Sequence, residues 1–230
     1  MSNYWKNHYD SISKQFDGSL LKQVGKTVNG QEIPERQIRL IVDSIVNVLR
    51  LKSSDSIIDL CCGNGLITRQ LAPLVKNIVG VDYTIGLIDA AKKYNGFPNI
   101  EYVISDVLHL DHKYLVGLRK VIMYEALQHF SPEQLGKLIE ELSCLEPGSL
   151  VFLGSIPNQE KLHTYYDTKE KLAYYTQGEA EGKPHIGRWW FMEEIEQLAS
   201  ARGFKATYMA QEPVLYTAYY RFNVLLEKSL

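Results

Sequence analysis

Cysteine is scarce in this chain: Cys61, Cys62 and Cys144 are the only three in 230 residues. Two adjacent cysteines cannot staple distant segments, and no C-x-x-C spacing offers a zinc site, so no metal is expected and the reading is a reducing, cytoplasmic setting. Long apolar runs are missing as well, none approaching the roughly 20 residues of a membrane span. Residues 1–20 hold no signal-peptide apolar core. Nor is there a surplus of one charge: the formal net charge is −2, so no positive field gathers nucleic acid or an anionic membrane. Neither partner is expected. No internal repeat or low-complexity tract interrupts the chain. What is present is ordinary for one sizeable domain, 45% hydrophobic and 23% charged, with one exception, an excess of tyrosine (15) beside 3 Trp.

The chain is organised around Ser56–Thr68. A short apolar strand, Ser56–Leu60, carries Asp59 near its end, then come Gly63 and Gly65 one residue apart, then the start of a helix. A carboxylate at a strand end followed by glycines makes a nucleotide-type pocket at the C-terminal edge of a parallel sheet. The dinucleotide fingerprint needs Gly or Ala where this chain has Thr68. Asp59 would also repel a pyrophosphate while tolerating a cationic or zwitterionic ligand. An acid followed by alternating glycines resembles the first motif of the class I S-adenosylmethionine-dependent methyltransferases. Cys61 stands where that family often has a glycine, and a small thiol suits the turn if φ is negative there.

Further along, strands and helices alternate. Apolar residues at Ile38, Ile41, Val42, Ile45, Val46 and Leu49 predict an amphipathic helix over Glu35–Leu51. The second strand, Asn77–Val81, ends in Asp82, placed to accept two ribose hydroxyls. Asp82 through Ala91 resembles the family's second motif, which implies Tyr83 beside the cofactor and Leu87 packed on adenine. After the third strand, Ile100–Ile104, Asp106 is either a helix N-cap or an acceptor for the adenine amino group, with the Val107 backbone serving a ring nitrogen. The fourth strand, Lys120–Met123, opens into Tyr124, Glu125 and His129, and Ser131 with Pro132 and Gln134 starts a helix. The resemblance sets that loop nearest the reactive methyl. Leu145–Gly148 resembles the family's Leu-x-Pro-Gly before a fifth strand, Ser149–Ile156.

Three aromatic regions lie outside the alternation. Trp5, Tyr9, Ile12 and Phe16 fall on one helical face, and the resemblance implies that Tyr9 and Phe16 close over the cofactor. Gln23–Pro34, rich in glycine and amides, reads as a loop or short hairpin able to act as a lid. Residues 157–188 read either as a surface flap or dimer contact packed by its own aromatics or, by resemblance to the insertion that shapes acceptor sites in small-molecule methyltransferases, as a substrate wall with Tyr165, Tyr166, His163, His185 and the adjacent Trp189 as contacts. His109-Leu110-Asp111-His112 reads as a solvated loop.

Together these readings give an α/β, Rossmann-like three-layer fold. It holds a seven-stranded, mostly parallel sheet with an antiparallel last strand, Tyr219–Leu226, paired in a hairpin-like edge with Phe204–Met209. Residues 1–33 form a helix and lid, and residues 34–230 the methyltransferase domain. The resemblance implies S-adenosyl-L-methionine as methyl donor, bound by Tyr9, Phe16, Asp59, Cys61, Gly63, Gly65, Asp82, Tyr83, Leu87, Asp106, Val107 and Tyr124. A small polar acceptor of sugar or secondary-metabolite type would be methylated on oxygen or nitrogen by a monomer or homodimer. His129 is the first candidate base and Glu125 the second, although Glu125 could instead bind the methionine ammonium. An RNA or protein methyltransferase and a nicotinamide-dependent oxidoreductase are the alternatives.

Overall fold

A computed structural model describes residues 3–229. Helix α1 (Asn3–Gln15) precedes a two-strand hairpin, Thr27–Val28 with Gln31–Glu32. Asn29 and Gly30 at its tip both have positive φ, +49° and +74°, the pairing that a tight hairpin turn of type I′ demands and that Asn-Gly supplies. Helix α2 (Glu35–Leu49) follows, burying Ile38, Ile41, Val42, Ile45 and Leu49 at helical spacing. It stops two residues before Leu51 because Arg50 turns left-handed at φ +49°, giving its N–H to the carbonyls of Val46 and Asn47.

From there the chain alternates through β1 (Ser56–Leu60), α3 (Leu66–Leu71), β2 (Asn77–Asp82), α4 (Ile85–Tyr94), β3 (Ile100–Ile104) and β4 (Lys120–Tyr124). Then come α5 (Pro132–Glu141), β5 (Leu150–Pro157), α6 (Lys169–Ala180), α7 (Met192–Ser200), β6 (Phe204–Ala210) and β7 (Arg221–Lys228). Helix α5 begins with the expected capping box, Gln134 N–H donating to Ser131 Oγ at 3.2 Å and Ser131 N–H to Gln134 Oε1 at 2.9 Å. This satisfies two orphan donors at once.

The seven strands lie in the order β3-β2-β1-β4-β5-β7-β6. Strands β1 to β5 are mutually parallel, and β7 runs antiparallel to both β5 and β6. The last two strands therefore pair as a hairpin-like unit, with β7 inside the sheet and β6 at its edge. Strand β7 begins at Arg221, two residues later than expected, since Tyr219 and Tyr220 belong to the turn before it.

Alternate strand residues face opposite layers. Ile57, Ile78, Ile122 and Phe152 pack with α2 on one side. Ile58, Val81, Val121, Met123, Val151 and Leu153 pack with α5 and α7 on the other. The strand order reverses between β1 and β4, so the loops leaving their C-terminal ends diverge. That crevice is where an open α/β sheet receives its ligand. Helix α1 packs on α4 beside it. Among the described residues no helix is long and apolar enough to cross a membrane.

Candidate active site

The turn after β1 passes through Cys61, Gly63 and Gly65 with φ of +58°, +56° and +74°. Cys61 is thus left-handed, against the negative φ expected of it, a strain of about 1 kcal/mol for a residue with a Cβ. The turn is held in that shape from its far side: Cys62 N–H donates to Val81 O of β2 at 3.0 Å, and Gly65 N–H to Cys62 O at 3.1 Å. At Gly65 a Cβ would stand 2.2 Å from Tyr102 Oη. Only glycine fits there.

Asp82, buried at the end of β2, accepts from Gly63 N–H at 3.0 Å and Thr84 N–H at 2.8 Å. Burial raises its pKa, and these backbone bonds oppose the rise. Asp59 lies behind the turn, accepting from Thr68 Oγ1 at 2.6 Å, and burial pushes it up to about 7. The threonine that breaks the dinucleotide fingerprint is therefore the partner of the acid that precedes it.

Glu125 follows β4 in a left-handed conformation, φ +53°. Its carboxylate pairs with Lys26 of the hairpin segment, whose side chain is 4% exposed, and accepts from Ser155 Oγ at 3.1 Å and Tyr216 Oη at 3.4 Å. Burial alone would raise the Glu125 pKa, but Lys26 and Arg221 hold it below its ordinary value. Lys26 is itself lowered by burial, with Glu125 opposing. Arg221, at the start of β7, donates through Nη1 to Ser155 O at 2.5 Å and reaches Gln128 Oε1 at 3.4 Å.

His129 sits under α1. Its Nε2 lies 3.2 Å from Tyr9 Oη and its ring centroid 4.2 Å from that of Trp5. Desolvation first, then the charge of Arg221, brings its pKa down to about 3. The ring is neutral at pH 7 and a far weaker base than a free imidazole.

One cavity, about 670 Å³ when counted out to its open mouth, gathers these groups. It is lined by Tyr9, Cys61, Gly63, Asp82, Tyr83, Leu87, Tyr124, Glu125 and His129 from the sequence reading, joined by Lys26, Val24 and Asn64. Gly65 and Asp59 stand behind its wall. Phe16 is outside, under the Lys22 ammonium at 5.8 Å. Val107 is in the hydrophobic core, and Asp106 accepts from Leu108 N–H at 2.9 Å, capping a short helical turn.

A second cavity, of about 1250 Å³ counted to its mouth, opens between the hairpin tip and the insertion. Tyr165, Tyr166 and His185 line it, together with Tyr174, Tyr216, Tyr219 and Tyr220. Trp189 belongs to the buried cluster beneath, with Leu162, Tyr166 and Tyr220, and His163 is exposed outside both cavities. His112 pairs at the surface with Glu141 at 2.8 Å, as a solvated loop does. Among the described residues no group of three or more His, Cys, Asp or Glu is arranged to hold a metal ion.

Lys26, Arg221 and Tyr216 were not signalled by the sequence. Their partner Glu125 is 99 residues from Lys26 and 91 from Tyr216, and neither position stands in a motif. Trp5 did carry a signal, its place on the apolar face of α1.

Residues 57–148 match a family model described as a methyltransferase domain. A stretch of 70 residues is 36% identical to the 23S rRNA (uracil(1939)-C(5))-methyltransferase RlmD of Vesicomyosocius okutanii, covering 29% of this chain and 16% of that protein. This chain therefore spans a minor part of that relative's length. Among solved structures, the cyclopropane synthase MmaA2 from Mycobacterium tuberculosis superposes with TM-score 0.72 at 14% identity, covering 99% of both chains. Magnesium protoporphyrin IX methyltransferase from Synechocystis PCC 6803, solved with bound SAH, superposes with TM-score 0.66 at 16% identity, covering 97% of this chain and 98% of that one. These likenesses carry the fold.

Proposed function

We propose that this chain, whose residues 57–148 match a methyltransferase-domain model, is a class I S-adenosylmethionine-dependent methyltransferase that transfers a methyl group to an oxygen or nitrogen of a small polar molecule. The observation that carries this reading is Asp82. Its carboxylate is gripped by two backbone N–H groups beside the glycine turn, lines the cavity, and retains lone pairs for two ribose hydroxyls.

The other residues present fit the same ligand. Leu87, 2% exposed, offers an apolar surface for adenine. At Gly63 a Cβ would crowd Val24 Cγ1 at 3.1 Å, so the close backbone approach depends on glycine. The buried hydroxyls of Tyr83 and Tyr124 have no hydrogen-bond partner among the described residues, which suits a ligand with polar groups along its length. Thr68, held to the buried Asp59 at 2.6 Å, stands where the dinucleotide fingerprint needs Gly or Ala. That weighs against the nicotinamide reading.

When bound, S-adenosylmethionine supplies an electrophilic methyl on its sulfonium. The protein's share is orientation and exclusion of water. Tyr9 of helix α1 and the segment leading into the hairpin, Val24 and Lys26, line the cavity, Lys26 ties that segment to Glu125, and the neutral His129 orients Tyr9. Tyr124, Glu125 and His129 are the groups at the reacting end. Some relatives are named for ribosomal RNA, but a net charge of −2 gives no phosphate-binding field.

The test is titration calorimetry with S-adenosylmethionine, S-adenosylhomocysteine and NAD(P)H in parallel. Micromolar binding of the two sulfur compounds and none of the nicotinamides supports the reading. The reverse pattern removes it.

A further inference from the structure

Resting on that reading of the donor site, we infer that the tyrosine-lined second cavity is the acceptor site and that the acceptor is a small planar ring carrying an anionic oxygen, an aromatic carboxylate. Three independent features lead there.

The first is the lining. Tyr165 and Tyr219 stack with ring centroids 6.2 Å apart and planes 12° apart, and Tyr165 meets Tyr220 at 4.5 Å. Exposed Tyr174 stands across from them beside His185, at 5.2 Å. Tyrosine presents rigid π surface at little cost in conformational entropy, and offset or edge-on packing makes it a receptor for flat rings. The hairpin tip, Thr27 to Asn29, closes the open side.

The second is the connection between cavities. Tyr216 lines the second cavity while its hydroxyl donates to Glu125, which lines the first. The segment Lys26–Val28 bridges them in the same way, with Lys26 in the first cavity and Thr27 and Val28 in the second. A ring on the tyrosines is thereby one side chain away from the reacting end.

The third is charge. On the inner side Lys26 and Arg221 face one carboxylate, Glu125, while on the exposed outer side Lys171 pairs with Asp167 at 2.7 Å and leaves Glu170 in the lining, so the positive end of the cavity is its inner, Tyr216–Tyr220 end. Arg221 lies 5.1 Å over the Tyr220 ring, and its Nε is buried with no hydrogen-bond partner among the described residues. A guanidinium with an unspent donor, packed behind the Tyr220 ring that lines the cavity, is complementary to an oxyanion held against that wall. The chemistry agrees. Methyl transfer to a carboxylate oxygen, already ionised at neutral pH, forms an O–CH3 bond as the S–CH3 bond breaks, the bonding pair stays on sulfur, and no proton leaves. Such an acceptor needs no general base, and neither His129 nor Glu125 is tuned as one near neutral pH.

The experiment is equilibrium binding followed by intrinsic fluorescence, with saturating S-adenosylhomocysteine. The probes are 4-hydroxybenzoate, its neutral amide 4-hydroxybenzamide, and the non-aromatic cyclohexanecarboxylate. The carboxylate is expected to bind at least ten-fold more tightly than either comparison probe. Arg221→Lys, which keeps the charge and removes the Nε donor, should narrow the carboxylate-to-amide ratio. Tyr174→Ala and Tyr219→Ala, at exposed positions that tolerate truncation, should weaken all aromatic probes together. Equal binding of amide and carboxylate, or affinities unmoved in the tyrosine variants, overturns the inference. Failure of S-adenosylhomocysteine to bind sinks the donor-site reading instead, so the two failures are separable.

Discussion

Asp82 and Lys26 act from opposite ends of legibility. Asp82 stands where a strand meets a turn some twenty residues past the glycines, a spacing with a physical reason behind it. Asp82→Ala is expected to weaken S-adenosylhomocysteine binding ten-fold or more, read by calorimetry, with the melting temperature little changed. Lys26 looked like one more polar residue in a glycine-rich segment, because nothing local announces a partner 99 residues away. Lys26→Met leaves Glu125 buried against Arg221, Ser155 and Tyr216 alone. Urea denaturation should register a loss of about 2 kcal/mol, less than an isolated buried pair would lose because those three partners remain. His129 carries a pH signature. Its folded pKa of about 3 lies below the ordinary 6.5, so between those values the unfolded chain binds the extra proton. The stability that this group contributes is complete above pH 6.5 and drains away as pH falls toward 3. In His129→Gln, melting temperature plotted against pH should be flatter over that window, and an unchanged slope would remove the histidine from the account. Cys61 shows what spacing cannot reveal: residue type marked a tight turn, whereas the sign of φ was decided by the Val81 contact across the sheet.

At the scale of elements, periodicity gave a faithful guide wherever an element buries one face. The five parallel strands end within a residue of expectation, and the capping box at Ser131 follows directly from the hydrogen-bonding chemistry of its side chains. Pairing order was harder. That β7 enters between β5 and β6 depends on contacts between residues far apart, such as Phe152 with Leu225, and no local pattern encodes such a neighbour. Helix α6 escaped for a different reason. None of its residues is fully buried, so it has no apolar stripe to betray it. Helices without a buried face owe little to tertiary packing. In native-state hydrogen exchange the α6 amides should lose protection well before those of β1, β4 and β5. Equal protection would mean that the insertion is stabilised by more than its aromatic base.

Taken whole, the molecule builds the proposed donor cavity on the sheet and the proposed acceptor cavity from the segments laid over it. The donor cavity grows from strand ends that any chain of this topology possesses, while α1, the hairpin and the insertion are loops and short helices supplied by aromatic and amide residues. Its charge has a consequence that can be measured. With net charge −2, a ribosomal RNA fragment should be retained weakly, with a shallow dependence of affinity on salt; a steep slope would count several phosphate contacts and favour an RNA substrate. The Lys26–Glu125 pair has a temporal meaning too. Because it lies inside the cavity where the donor is proposed to sit, donor entry is expected to require that the pair part and the segment carrying Lys26 lift. Association would then saturate at the frequency of lifting rather than climb with ligand concentration, and affinity would be discounted by the fraction of time spent closed. The hairpin would in that way set a clock on each turnover before any bond is made.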